Sequence, residues 1–242
     1  IITPFVLLLL FATGNIVAQE YLNTQKAETV PVIDGTFDDW SAFSAYDLAV
    51  LRAGDEMPEA TDLTPQFKIT WGSDALYLFV TVTDEMLVGD HEQAWNNDNV
   101  EISIDGNADR SLNMFWEPQA SDMKLLVKYG ASIDDVKSEG NNLENHDLSG
   151  LEYNQADITE GWAFEMKIPF SAIAADLTFG DGSEIVMEIN VGDNDEGPDA
   201  KRQHQLSWSG TSNMNNDPSG FGTVYLIDKK NIETLMAETV PS

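Results

Sequence analysis

FKITWGSDALYLFVTVTD, residues Phe67–Asp84, is the stretch that decides the fold. Phe67, Ile69 and Trp71 alternate with polar residues, and Gly72-Ser73-Asp74 turns the chain. Leu76, Leu78, Val80 and Val82 then alternate against Tyr77, Phe79, Thr81 and Thr83. A period of two sends successive side chains to opposite faces, so the stretch reads as a β-hairpin whose second strand is buried on at least one face.

Downstream, AWNNDNVEISID (Ala94–Asp105) repeats the pattern. Val100, Ile102 and Ile104 form an apolar face, opposite Glu101, Ser103 and Asp105. Strands are expected again at Asp122–Tyr129, Leu151–Ile158, Gly161–Ile168 (closed by Pro169), Ser183–Asp193, Gln203–Trp208 and Gly222–Ile227, with short ones at Pro31–Ile33 and within Ala42–Arg52. Ser171–Asp176 suggests one or two helical turns, and Gly130–Gly150 reads as acidic and irregular. About ten short strands with turns between them, and no helix–strand alternation, imply an all-β protein: an antiparallel β-sandwich of jelly-roll or immunoglobulin-like type.

Residues 1–18 hold no charge and carry an apolar block from Phe5 to Ala12, then small residues up to Ala18-Gln19. This reads as the later part of an export signal, truncated at its start, and it is too short for a spanning helix of about 20 apolar residues. The expected layout is therefore signal (1–18), polar lead-in (19–30), sandwich (31–228) and tail or linker (229–242), with the protein secreted, periplasmic or on the cell surface. No cysteine is present, so an exported chain must hold together without disulfides.

The 42 acidic and 12 basic residues give a formal charge of −30. Such a surface disfavours nucleic acid, anionic lipid and charged polysaccharides, leaving neutral ligands and divalent cations as partners. Catalytic signatures are missing: there is no Gly-x-Ser-x-Gly elbow, no cysteine nucleophile and no His-x-x-x-His pair among His91, His146 and His204, which are expected at the surface.

Trp95 stands among Asn96-Asn97-Asp98-Asn99 at the head of a strand carrying Glu101. An indole face covers the apolar C–H side of a pyranose while flanking amides and acids hold its hydroxyls, so this is a sugar platform or, equally, a plug for the end of the core. Trp40, Trp71, Trp162 and Trp208 read as core, although Trp208 stands close to Lys201-Arg202-Gln203-His204-Gln205 and would also suit the rim of a site. Glu165, between core residues, would pair with a lysine or ligate a cation. Asp105-Gly106-Asn107-Ala108-Asp109 and Asp193-Asn194-Asp195-Glu196 space oxygen donors as a calcium loop does, or as a solvated turn does.

Taken in order, PVIDGTFDDW, LYLFVTVTD, AWNNDNVEISID, GWAFEMKIPF, INVGDND, LSWSG and DPSGFGTVYL resemble carbohydrate-binding module family 9 from about Pro31 to Ile227. The resemblance implies a β-sandwich that binds mono- and oligosaccharides or glycan ends, contains calcium, and sits beside a glycoside hydrolase. It assigns sugar contacts to Trp95 and Glu101 and, around them, to Asn97, Asp98 and Lys124. It also implies a second tryptophan before Asp217-Pro218-Ser219, where this chain has Asn213-Met214-Asn215-Asn216, and an arginine where Leu126 falls. Asn213 and Asn215 then become contacts, and Trp116 or Phe115 is expected to supply the second aromatic face. Calcium is expected at Asp105, Asn107 and Asp109 and at Asp193 and Asp195. Two other readings stay open: a surface interaction sandwich with a degraded sugar site, and a haem domain using Met86, Met114 or Met123 with His91 or His204.

Overall fold

The computed structural model describes residues 20–112, 114, 119–210 and 217–230. These contain thirteen strands: β1 (Tyr21–Gln25), β2 (Tyr46–Asp47), β3 (Val50–Ala53), β4 (Thr64–Trp71), β5 (Ala75–Thr83), β6 (Asn99–Asp105), β7 (Asp122–Lys128), β8 (Gly140–Asn141), β9 (Glu152–Ile158), β10 (Gly161–Pro169), β11 (Glu184–Asp193), β12 (His204–Ser207) and β13 (Gly222–Ile227). Two short helices join them, α1 (Ile133–Ser138) and α2 (Phe170–Ile173).

The Phe67–Asp84 hairpin is the seed of one sheet. Phe67 lies opposite Val80, Ile69 opposite Leu78 and Trp71 opposite Leu76. β10 joins the far side of β5 with Trp162, Phe164, Met166 and Ile168 in the same layer, giving the order β2-β4-β5-β10-β9. The second sheet is built on β6, flanked by β7 and β11. β11 is long enough to pair β13 along its first half and β12 along its second. β1 then extends β13, β3 extends β12 and β8 extends β7.

The inner faces of both sheets close on one core that includes Phe67, Trp71, Val80, Ile102, Ile104, Leu125, Trp162, Phe164, Ile189 and Trp208. Phe67 meets Trp208 edge-on across it, with ring centroids 5.5 Å apart. Three of the four expected core tryptophans, Trp71, Trp162 and Trp208, are therefore where alternation places them. Among the described residues no helix is long and apolar enough to cross a membrane.

The fourth, Trp40, is buried elsewhere. Pro31–Ile33 forms no strand; the segment from Pro31 to Phe43 lies across the outer face of β5 and β10 and makes a second small core. Trp40 stacks on Phe79 at 5.4 Å, and Phe37 meets the same ring at 5.2 Å. Glu165 holds this segment down. Its Oε2 accepts a hydrogen bond from Trp40 Nε1 (3.0 Å) and its Oε1 accepts one from Gly35 N (2.5 Å). The expectation of a lysine or cation partner for Glu165 is thus corrected: two N–H donors satisfy the carboxylate.

Two further readings change. Tyr21–Gln25, expected as lead-in, is β1, and it pairs parallel to β13 in an otherwise antiparallel sandwich. Leu22 enters the core, and Trp71 Nε1 donates to the carbonyl of Thr24 at 3.1 Å. With one apolar residue on its inner face, β1 has too little alternation to show in the sequence; a partner about 200 residues on supplies the pairing. Within the stretch read as irregular, α1 forms because Ser132 and Asp135 make a reciprocal capping box at its start.

Replacing Glu165 with Ala leaves the buried indole N–H of Trp40 and the Gly35 N–H without an acceptor. The expected cost is about 2–4 kcal/mol for one buried and one half-buried donor. Urea unfolding followed by tryptophan fluorescence should show a lower midpoint with an unchanged slope. An unaltered midpoint would mean that the outer-face segment does not depend on this carboxylate.

Candidate functional site

Alternation along β6 turns Asn99, Glu101, Ser103 and Asp105 away from the core. Neighbouring strands add polar residues to the same layer: Lys124 lies opposite Ser103, Asn190 opposite Glu101, and Gln205 opposite Gly192. These groups are buried, Glu101 at 2% exposure and Lys124 at 9%. A buried carboxylate must be paired to be tolerated. Glu101 forms ion pairs with Lys124 and with Arg202, whose Nη1 lies 2.7 Å from Oε1, and Gln205 Nε2 donates to Oε1 at 3.2 Å. Burial alone would raise its pKa; the two cations outweigh that and hold the carboxyl at about 2. Arg52, on β3, completes the cationic side. Burial pulls its pKa below the ordinary arginine value, with attraction from Glu101 and Glu188 and repulsion from Arg202.

Trp95 sits at the head of this layer in a single 3₁₀ turn, Ala94–Asn96, and is 48% exposed. Asn99 ties it to the strand by donating to the Trp95 carbonyl at 3.2 Å. Asn99 lies over Gly192, where an added Cβ would stand 2.6 Å from its Nδ2 and 3.1 Å from Arg202 Cδ. Only a glycine there lets the arginine stem cross the sheet. Arg202, Glu101 and Lys124 therefore form one ion-paired strip, and Asn99 links it to the main chain of the turn that carries the half-exposed Trp95.

Asn97 and Asp98 do not present their side chains to a ligand, and the expectation that they do is corrected. Asn97 is fully buried; its Nδ2 donates to the carbonyls of His91, Gln93 and Ala94, and its Oδ1 accepts from His91 N. Asp98, also fully buried, accepts from Val88 N (2.5 Å) and Asn194 N (2.8 Å). Burial, then repulsion from Asp84, pushes its pKa up to about 8. Both residues brace the Trp95 turn. Trp116, Phe115, Asn213 and Asn215 lie outside the described residues. Arg202 and Arg52 are the residues of this layer that sequence reading did not assign to it; the signal available for Arg202 was the Lys201-Arg202 pair in an acidic chain.

The expected metal residues separate into two groups. Asp105 Oδ2 accepts from Arg110 N at 2.8 Å, while Asn107 and Asp109 hydrogen-bond to each other at 2.9 Å. These bonds occupy part of the loop's donor set, while Asp105 Oδ1 and the facing Asp122 Oδ1 are buried without a hydrogen-bond partner. Asp193 and Asp195 instead converge with residues from other loops. Ligand atoms of Asp84, Asp193 and Asp195, of Asp62, Glu85 and Asp195, and of Asp62, Asp193 and His204 all fall within 4.8 Å of one another in each trio. Asp84 Oδ2, Asp193 Oδ1 and Asp195 Oδ1 are buried without a hydrogen-bond partner. Burial, then mutual repulsion, raises Asp193 to about 8 and Asp195 to about 7; burial likewise lifts Asp84 to about 7 despite an N–H from Met86. His204 stands in this cluster, and His146 is bound to the carbonyls of Ala172 and Asp122, so neither is the simple surface histidine expected.

A separate cleft of about 800 Å³ opens between β1 of one sheet and β2 of the other, with Lys26, Phe43, Tyr46 and Asp228 on its walls. Neither Trp95 nor Glu101 lines it. It offers volume without the buried ion-pair chemistry of the strip.

The chain was compared with known proteins. It is 29% identical over 201 residues to exoglucanase XynX of Acetivibrio thermocellus, covering 82% of this chain and 16% of that protein. It is 28% identical over 207 residues to endo-1,4-beta-xylanase A of Thermotoga neapolitana, covering 81% and 17%. The chain thus spans about a sixth of the length of these curated relatives. Among solved structures, a family 9 carbohydrate-binding module from Caldicellulosiruptor kristjanssonii in complex with cellotriose superimposes with a TM-score of 0.69 at 22% identity, covering 86% of this chain and 94% of that one. The glucose complex of a family 9 module from the same organism gives a TM-score of 0.66 at 21% identity, covering 86% and 96%. These likenesses show the fold. The carbohydrate family 9 binding domain-like family matches residues 33–229, and the chain belongs to that family.

Proposed function

We propose that this chain is a non-catalytic carbohydrate-binding module. It holds a neutral mono- or oligosaccharide, or the end of a glycan, on the open indole of Trp95, with Arg202 and Lys124, both held by Glu101, donating to hydroxyls beside it. The observation that carries the reading is the half-exposed Trp95 at the head of a buried Glu101–Arg202–Lys124 strip. An apolar ring next to a few fixed polar groups is the composition of a sugar site. Arg202, from the β11–β12 loop, takes the place of the guanidinium that the family resemblance puts at Leu126.

What supports binding without catalysis at this strip is where its carboxylate oxygens go. A glycosidase needs one carboxyl free to protonate and another free to attack or activate water. Glu101 is taken up by Arg202, Gln205 and Lys124. Glu188, the nearby acid, accepts from Trp208 N, Ser209 N, Ser209 Oγ and Ile189 N. The relatives that carry such a stretch are xylanases and an exoglucanase, which supports a role beside a glycoside hydrolase outside the cell. The apolar opening of the sequence agrees with export; residues 1–19 lie outside the described residues. The haem reading gains no support, since Met123 is in the main core, Met114 packs on Val186 and Phe221, and His204 faces Asp62 and Asp193.

The Asp62, Asp84, Glu85, Asp193 and Asp195 cluster suits calcium. It offers hard oxygen donors, three of them buried with no other partner, as a 6–8-coordinate oxygen-loving ion requires. A bound ion would supply the countercharge these carboxylates lack.

Calorimetry against glucose and cellotriose tests the sugar reading. Trp95→Ala and Arg202→Ala should each weaken binding by roughly 10- to 100-fold, the loss of a stacking face or of a charged hydrogen bond. Wild-type affinity in Trp95→Ala would remove the platform.

The pKa shifts test the metal reading. Carboxyls raised to about 7 and 8 in the fold bind protons more tightly folded than unfolded. Their contribution is therefore fully present below about pH 4 and is lost as pH climbs through 7–8. In chelator, the melting temperature should fall between pH 5 and pH 8.5. Saturating calcium should raise it and flatten that fall, by about 2.7 kcal/mol of added stability at one hundred times its dissociation constant. A midpoint indifferent to calcium at pH 8 would remove the ion from this cluster.

A further inference from the structure

One loop, Asp193 to Gln203, serves both the acidic cluster and the sugar strip. Asp193 and Asp195 point into the cluster. Between them, Asn194 points the other way. Its Nδ2 donates to the carbonyl of Asn96 (2.6 Å), immediately after Trp95, and also to Gly197 O and Ala200 O, while its backbone N donates to Asp98 Oδ1 (2.8 Å). The loop is closed at its base by Gln203 N donating to Asp193 O and by Asp195 N donating to Gln203 Oε1, both at 2.8 Å. The residue before Gln203 is Arg202, which reaches Glu101. The same eleven residues thus hold the turn that presents the indole and deliver the guanidinium.

We infer that cation occupancy of the Asp62/Asp84/Glu85/Asp193/Asp195 cluster controls saccharide affinity, with Asn194 as the positioning residue that links the two. This rests on the proposed sugar site and extends it to its regulation. The link is mechanical and short. Without a cation, five carboxylates repel; Asp84 and Asp193 are buried, Glu85 is exposed, Asp62 and Asp195 are half-buried, and of these Asp195 lies on the loop that also bears Asn194 and Arg202. Outward movement of Asp195 breaks its bond to Gln203, pulls Asn194 off Asn96 and Asp98, and draws Arg202 from Glu101. A cation at the cluster reverses each change, so one element with two arrangements is biased from both ends. Coupling of this kind is reciprocal: the saccharide must tighten the cation by the factor the cation tightens the saccharide.

The experiment is calorimetry of the whole chain with glucose and cellotriose, in excess calcium and in chelator, with calcium binding measured separately by competition with a chromophoric chelator. On chelation the dissociation constant for cellotriose should rise by roughly 5- to 50-fold, and saturating cellotriose should tighten calcium by the same factor. Asp195→Asn, which touches no sugar contact, should lose calcium and show the chelated cellotriose affinity even in excess calcium. Asn194→Ala should still bind calcium, with the coupling factor falling towards 1; circular dichroism checks its fold, and Asp195→Asn carries the test if that variant does not fold. Equal cellotriose affinity with and without bound calcium overturns the coupling and leaves the sugar site standing. No cellotriose binding in excess calcium overturns the sugar site itself, and no calcium binding overturns the cluster as a cation site.

Discussion

A carboxylate buried on the middle strand of a sheet can be kept ionised only if cations are brought to it, and the functional end of this molecule is arranged around that demand. Glu101 sits at 2% exposure with Lys124 on one side and Arg202 on the other. Lys124 comes from the adjacent strand and needs no special device. Arg202 arrives from a loop, crosses Gly192 and must be held there. Holding it fixes the Asp193–Gln203 loop, which fixes Asn194, which in turn fixes the turn carrying Trp95. The exposed indole is oriented through a chain of polar contacts that ends at a buried charge.

With no disulfide available, the sandwich uses side chains that accept or donate to the backbone as its cross-links. Glu165 fastens the Pro31–Phe43 segment over the outer face of β5 and β10. Arg110 joins the loop after β6 to the start of β13 by donating to the carbonyls of Pro218 and Phe221 and to Thr223 Oγ1. Asn97 gathers three carbonyls of the turn before β6. Each such group is buried or half-buried, where a lost partner costs more than at the surface. The acid-rich composition has a structural share in this, beyond solubility: many of its carboxylates are acceptors for backbone N–H groups.

Sugar and cation chemistry meet because the two sites share a loop while facing opposite directions from it. Alternation at Asp193, Asn194 and Asp195 sends the two acids to one side and the amide to the other, the same period-two rule that builds the sheets. On the proposed reading, calcium and saccharide bind as one linked equilibrium.

How much of this was legible beforehand divides along a physical line. The two-residue period of β4, β5, β6, β10 and β11 is local, so the sequence alone established an all-β sandwich, its main strands, most of its tryptophan core and the polar outer face bearing Glu101. It also marked Trp95 as the candidate platform, because a lone indole among amides is a local anomaly. What alternation cannot carry is the partner across the fold. Only the tertiary structure decided that β1 runs parallel to β13, that Trp40 belongs to an outer core held by Glu165, and that Asn97 and Asp98 brace the Trp95 turn. It likewise decided that Arg202 reaches Glu101 and that Asp193 and Asp195 meet Asp62, Asp84 and Glu85 while Asp105 does not join them. Apart from the local bonds of Asn97, those outcomes depend on contacts between segments about ten to two hundred residues apart, and the free energy of such contacts leaves no periodic trace in either segment.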